Sequence, residues 1–295
     1  MTSDLIQHIN YVLENLNYSP WLPTLTPELA EVGWRSLYRD VGISPSNYGT
    51  ARVMARDPIG PRRIIASLPI SLNADVPYKE VQVETLCDGF DHNYKKSGIR
   101  FYTTEDISST NILAQLQEAI NILKSLPSLC TTIGNLVKSV HLINVGDDDY
   151  DVSFSEPDIP FSVFVSVPQK LNKINALRVA EALIHEAMHL QLTLIERNIP
   201  LVKSISREYY SPWRGEFRNA QGILHGLYVF RVIGEFLHVL QTLNLYESKM
   251  DSYIDWRISE IHNQIIGITS FQESGDLTKF GAEFTGWIIN GFKGV

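Results

Sequence analysis

The run His185-Glu186-Ala187-Met188-His189 constrains this chain more than any other feature. It lies in an apolar-patterned segment, Ile174 to Asn198, without Gly or Pro, so the segment predicts one long helix. Histidines four apart on a helix sit one turn apart on the same face. Their imidazoles can converge on one metal ion, and the glutamate beside the first can reach a metal-bound water. Chance alone puts H-E-x-x-H into a chain of this length roughly one time in a hundred, so the surroundings carry the weight. Ala180, Leu183, Ile184, Ala187, Met188, Leu190 and Leu192 make the helix apolar nearly all round. Two histidines and a glutamate on such a helix need partners, because unpaired buried polar groups are costly. A metal ion satisfies all three at once. The bland alternative is a core helix whose histidines are satisfied by neighbours.

The 295 residues are 44% hydrophobic, enough for one large domain or two small ones, and the formal net charge is −8. With no Lys/Arg-rich run, neither nucleic acid nor an anionic membrane is an expected partner. The start lacks the basic and apolar regions of a signal peptide, and no stretch reaches 18 uninterrupted apolar residues, so no transmembrane helix is expected. Cys87 and Cys130 are too few for a disulfide framework and read as thiols of a reducing compartment. The expected location is cytoplasmic.

Along the chain, helical periodicity marks Leu5 to Leu16, then a helix opened by Pro27 with Thr26 as cap through Arg39. Trp21 and Trp34 read as core. Between Ser44 and Asp106 the pattern breaks into irregular structure with short β-rich runs at Arg63 to Ile70 and Val81 to Thr85. Helices are expected over Asn111 to Leu126, capped by Ser108, Ser109 or Thr110, and over Leu129 to Val137, followed by a strand from Ser139 to Val145. The acidic run 146–151 lacks the continuation of an EF-hand loop and reads as solvated. Phe161 to Val167, β-branched and bounded by Pro160 and Pro168, is the best strand. Its edge is expected to border the metal cleft, where an extended peptide could pair with it. Helices close the chain over Asn219 to Leu245, Ser252 to Ile268 and Leu277 to Ile289. With no repeat or linker, residues 1–295 read as a single domain, 1–106 helical and irregular, 107–295 carrying the metal site.

A catalytic metal needs a third protein ligand. Leu192 and Ile195 stand where a metzincin would continue its motif. Glu208, Glu216 and Glu235 are available, and His225 is the preferred residue: it lies on an apolar helix, with 35 residues between it and His189, enough to return beside it. Gly222 and Gly226 flank His225 and suggest that something approaches closely there. Arg214 and Arg218, four apart, would share a face if the helix began before them, which suits a carboxylate held bidentately.

Leu183-Ile184-His185-Glu186-Ala187-Met188-His189, Ser211-Pro212-Trp213-Arg214 with Arg218, and Gly222-Ile223-Leu224-His225-Gly226 with Tyr228 and Phe230 resemble the HExxH-motif family associated with modification of ribosomally made peptides. Some members of that family are iron(II)/2-oxoglutarate-dependent peptide β-hydroxylases. The resemblance covers roughly residues 160 to 240. It implies a zincin-like scaffold in an α+β, mostly helical fold, with the metal helix behind a small antiparallel sheet and a surrounding helical shell. It further implies iron(II), with zinc an alternative occupant, held by His185, His189 and His225. Arg214 and Arg218 would hold a carboxylate of 2-oxoglutarate, O2 would be the second co-substrate, and a precursor peptide would be hydroxylated at a side-chain β-carbon. Glu186 would orient a ligand or bind substrate. The competing expectation is a zinc metallopeptidase with Glu186 as general base.

Overall fold

The structure, a computed structural model, describes residues 2–14, 19–40, 63–70, 80–85, 94, 98–146, 151–155, 161–204, 206–244 and 248–293. Cys87, acidic residues 147–150 and much of the irregular stretch 44–106 lie outside these. In chain order the elements are α1 (Thr2–Glu14), α2 (Thr26–Asp40), β1 (Arg63–Pro69), β2 (Glu80–Thr85), β3 (Arg100–Phe101), α3 (Thr104–Ser109), α4 (Ile112–Leu123), α5 (Pro127–Leu136), β4 (Ser139–Asn144), β5 (Ser153–Ser155), β6 (Ser162–Ser166), α6 (Lys173–Glu196), β7 (Glu208–Ser211), β8 (Glu216–Asn219), α7 (Ala220–Leu243), α8 (Ser248–Ile266), a 3-10 turn (Thr269–Glu273) and α9 (Lys279–Lys293). The fold is α+β, and 61% of the described residues are helical, which agrees with the mostly helical α+β class expected. The chain divides into two compact units, one of residues 26–190 and one of residues 1–25 with 191–295.

In the first unit the strands run in the order β1-β2-β4-β6-β5, with β3 also paired to β4. The sheet is mixed rather than antiparallel: β2 with β4 and β4 with β6 are parallel, and the other pairs are antiparallel. Parallel neighbours need a long crossover. The helices α3, α4 and α5 supply it between β2 and β4, so the expectation of a purely antiparallel sheet is corrected. All five residues of β6 are buried, as befits a central strand covered on both faces. Its edges are both taken, by β4 along Ser162–Ser166 and by β5 along Val163–Val165. The expected free edge on this strand is therefore absent, and among the described strands β5 is the outermost on that side.

A polar row crosses the interior of this sheet. Ser139 and Ser162 share a hydrogen bond of 2.7 Å between their hydroxyls. His141 lies 3.4 Å from the Ser139 hydroxyl and 3.7 Å from the Glu84 carboxylate, and its ring stacks on Phe164 at 4.5 Å. None of these residues is more than 4% exposed, so this is internal wiring of the sheet with no access for a substrate. Trp34, on α2, stacks on Phe161 at 4.4 Å and is core, as expected.

The expected cap of the helix after residue 110 is corrected. Ser108 and Ser109 lie inside α3, whose own capping box pairs Thr103 with Asp106. Asn111 precedes α4 without a side-chain cap bond.

In the second unit α7 is the central helix, with α8 and α9 against it. Tyr228 on α7 is fully buried, donates to the Pro20 carbonyl at 2.9 Å, and also bonds Gln191, whose amide donates to the Trp21 carbonyl at 3.0 Å. Among the described residues α7 alone is long and apolar enough to cross a membrane by length and composition, and 72% of its apolar window is buried in the protein. That burial marks a core helix.

Candidate metal centre

The helix α6 runs unbroken from Lys173 to Glu196, which matches the segment predicted around the motif. Its start is fixed in two ways. The Asn172 side-chain oxygen, Oδ1, accepts from the Asn175 backbone N–H at 2.9 Å, satisfying one of the open donors of the first turn. The Gln115 side chain, fully buried on α4, donates to the Asn172 carbonyl at 2.9 Å and accepts from its N–H at 3.0 Å. Such a two-way amide clasp ties the start of the helix to α4.

His185 and His189 stand one turn apart with their Nε2 atoms 3.0 Å apart. Metal–imidazole bonds of about 2.05 Å would make that separation subtend roughly 95° at a shared ion, close to cis positions of a six-coordinate centre and below the tetrahedral angle. The His185 side chain is 29% exposed, so the pair meets solvent, whereas the Glu186 side chain is only 4% exposed. One Glu186 oxygen, Oε1, lies 4.0 Å from His185 Nε2 and accepts from the Ser153 hydroxyl at 2.8 Å. The donor set of two neutral imidazoles with an adjacent carboxylate suits a divalent transition metal, so the residues present fit the expected ion.

Ser153 carried no signal in the sequence. A serine in a three-residue strand is common, and its meaning arises only because β5 runs beside α6. A second bond ties the same segment to the helix: Arg178 Nε donates to Asp151 at 2.9 Å.

His225 is on α7, in the second unit, 12% exposed at its side chain. Its Nε2 lies 2.8 Å from the Glu196 carboxylate, which also accepts from the Gln221 amide at 3.1 Å. Glu196, at the end of α6, is thus a partner that the sequence reading did not weigh. Among the described residues no group of three His, Cys, Asp or Glu side chains is gathered at metal-binding distance.

The close approach expected at Gly222 and Gly226 is present. A Cβ at Gly226 would lie 2.3 Å from the indole of Trp213, and one at Gly222 would lie 3.2 Å from Arg218 Nε. Both neighbours come from a hairpin that the sequence reading did not foresee. The strands β7 and β8 pair from Glu208 opposite Asn219 to Ser211 opposite Glu216. Their four-residue loop, Pro212-Trp213-Arg214-Gly215, closes through Gly215 at φ +68°, a conformation that glycine adopts without strain. Arg214 therefore sits exposed in a turn, and Arg218 sits on β8 in an ion pair with Glu216 at 2.9 Å. They do not share a helix face, which corrects the local geometry expected of them. The helix begins after them, where the Asn219 side chain accepts from Gly222 N–H at 2.9 Å.

A scan against protein-family models finds no match to this chain. No curated protein matches it either.

Proposed function

We propose that this chain is an iron(II)/2-oxoglutarate-dependent hydroxylase acting on a side-chain β-carbon of a ribosomally synthesised peptide in the cytoplasm. The observation that carries the reading is the facing pair of Nε2 atoms on α6, 3.0 Å apart and beside a buried carboxylate. Its support beyond metal binding is the resemblance of the three stretches around His185, Arg214 and His225. On this reading the chain has a zincin-like core, with α6 as the metal helix. His185 and His189 supply two ligands and His225 the third. Bound iron(II), with 2-oxoglutarate and O2, supplies the oxidising power: one oxygen atom enters the C–H bond and the other leaves in succinate, with release of CO2.

The residues of the chain then have separable tasks. Three neutral imidazoles, His185, His189 and His225, would hold the ion without reducing its charge, which would favour a co-substrate carboxylate. Arg214 and Arg218 are the candidates for the far carboxylate of 2-oxoglutarate, and Arg218 must leave its exposed partner Glu216 to do so. Such a surface pair is worth ~0–1 kcal/mol, so the exchange is inexpensive. Glu186, held at Oε1 by the Ser153 hydroxyl, would orient a ligand or bind substrate.

The zinc peptidase reading draws on one observation of its own. A buried carboxylate 4.0 Å from a ligand nitrogen is where a general base for a metal-bound water belongs. Anaerobic reconstitution with iron(II), 2-oxoglutarate and then O2 separates the two. Succinate formation that depends on His185 and weakens in co-substrate affinity on Arg214→Ala or Arg218→Ala supports the hydroxylase. Peptide cleavage with zinc and no succinate with iron refutes it.

A further inference from the structure

We infer that Ser153 is a positioning residue for Glu186, fastening the outer strand β5 to the metal helix; the inference rests on the reading of Glu186 as a working group of the metal site. The Ser153 hydroxyl donates to Glu186 Oε1 at 2.8 Å, and the carboxylate is almost wholly removed from water. A buried carboxylate must take its hydrogen bonds from the protein. A donor on one oxygen restrains how the carboxylate is turned.

The donor is itself held. Ser153 is paired with Val165 in the β5–β6 ladder. One residue earlier, the Val152 N–H donates to the Ser166 hydroxyl at 2.9 Å, and the Ser166 N–H donates to the Val152 carbonyl at 2.8 Å. One residue further back, Asp151 takes Arg178 from α6. Arg178 and Glu186 are two turns apart on that helix, so β5 is tied to it at two levels. A serine in a loop would lend Glu186 a mobile donor; a serine on a laddered strand lends it a fixed one. The sheet therefore bears on the carboxylate through a residue of its own, in addition to the helix that carries Glu186 and both histidines.

The test uses full-length protein as wild type, Ser153→Ala, Ser153→Thr, Glu186→Gln, Ser153→Ala/Glu186→Gln and His185→Ala. Urea unfolding of the metal-free proteins reads the contact itself. The expected result is non-additivity: the double variant loses less than the sum of the singles, by at least about fivefold in the unfolding equilibrium constant. Cobalt(II) titration reads the metal. Ser153→Ala is expected to bind cobalt within about threefold of wild type while its turnover falls about tenfold or more, and Ser153→Thr, which keeps the hydroxyl, is expected to recover most of that turnover. The double variant is expected to turn over no more slowly than Glu186→Gln alone. Additive stabilities, or turnover effects that multiply in the double variant, overturn the inference. Should Ser153→Ala fail to fold, the threonine variant and Glu186→Gln carry the comparison, and a threonine variant as impaired as Glu186→Gln overturns it. Cobalt binding that is indifferent to His185→Ala would defeat the metal reading, while the metal-free coupling would still score the contact.

Discussion

Trp213 lies so close to Gly226 that a Cβ at that position would stand 2.3 Å from indole carbons Cε2 and Cζ2. The hairpin β7–β8 is thereby seated on the first turns of α7, one residue from His225. Gly226→Ala is expected to force the indole away and to cost about 1–3 kcal/mol, the usual penalty of overpacking. Trp213→Ala in the same chain should recover part of the loss. Denaturant unfolding of the two single variants and the double checks this, since a cost unchanged by removing the indole would place the clash elsewhere.

The junction between β8 and α7 turns on Asn219. Its side chain is the cap that accepts from Gly222 N–H. Asn219→Ala is expected to lower stability by about 1 kcal/mol and Asn219→Asp to retain most of it. Thermal unfolding of both variants measures the difference.

Alkaline pH should loosen the protein through two buried acids. Burial pushes the Cys130 thiol up to about 12, with Lys124 opposing weakly, and pushes the Tyr228 phenol well above its usual value. Both groups are raised in the folded state, so each favours folding fully below its unfolded value. For the thiol that value is 9.0, and its contribution fades as pH rises from there toward about 12. Stability measured from pH 8 to 11 should fall, and Cys130→Ser should flatten the slope. In a Cys87→Ser background the folded protein should also resist thiol reagents at pH 8, because Cys130 is 1% exposed and bonded to the Ile70 carbonyl.

Much of this was legible in the residue order, and the reasons for the gaps are physical. The unbroken apolar periodicity around His185 announced α6, because helix faces follow from spacing alone. The same held for α2, with Pro27 at its start, and for α7. The β-branched run at 162–166 announced its strand. Its neighbours could not be read, because pairing order depends on crossovers that no local pattern encodes. The hairpin at 208–219 was missed for a different reason. Its strands carry Glu, Tyr, Arg and Phe without alternation of apolar and polar residues, and the one available signal was Gly215 closing a loop opened by Pro212. Ser153 and Glu196 were invisible because their significance lies in what the fold brings beside them.

The facing imidazoles of α6 are the foundation of the proposed chemistry, and metal stoichiometry tests them most directly. Wild-type chain, His185→Ala and His189→Ala would be prepared metal-free, confirmed folded by circular dichroism, and titrated anaerobically with iron(II) and with cobalt(II). One tightly bound ion per wild-type chain, lost in both folded variants, is the expected result. Equal metal retention in the wild type and both variants would contradict it.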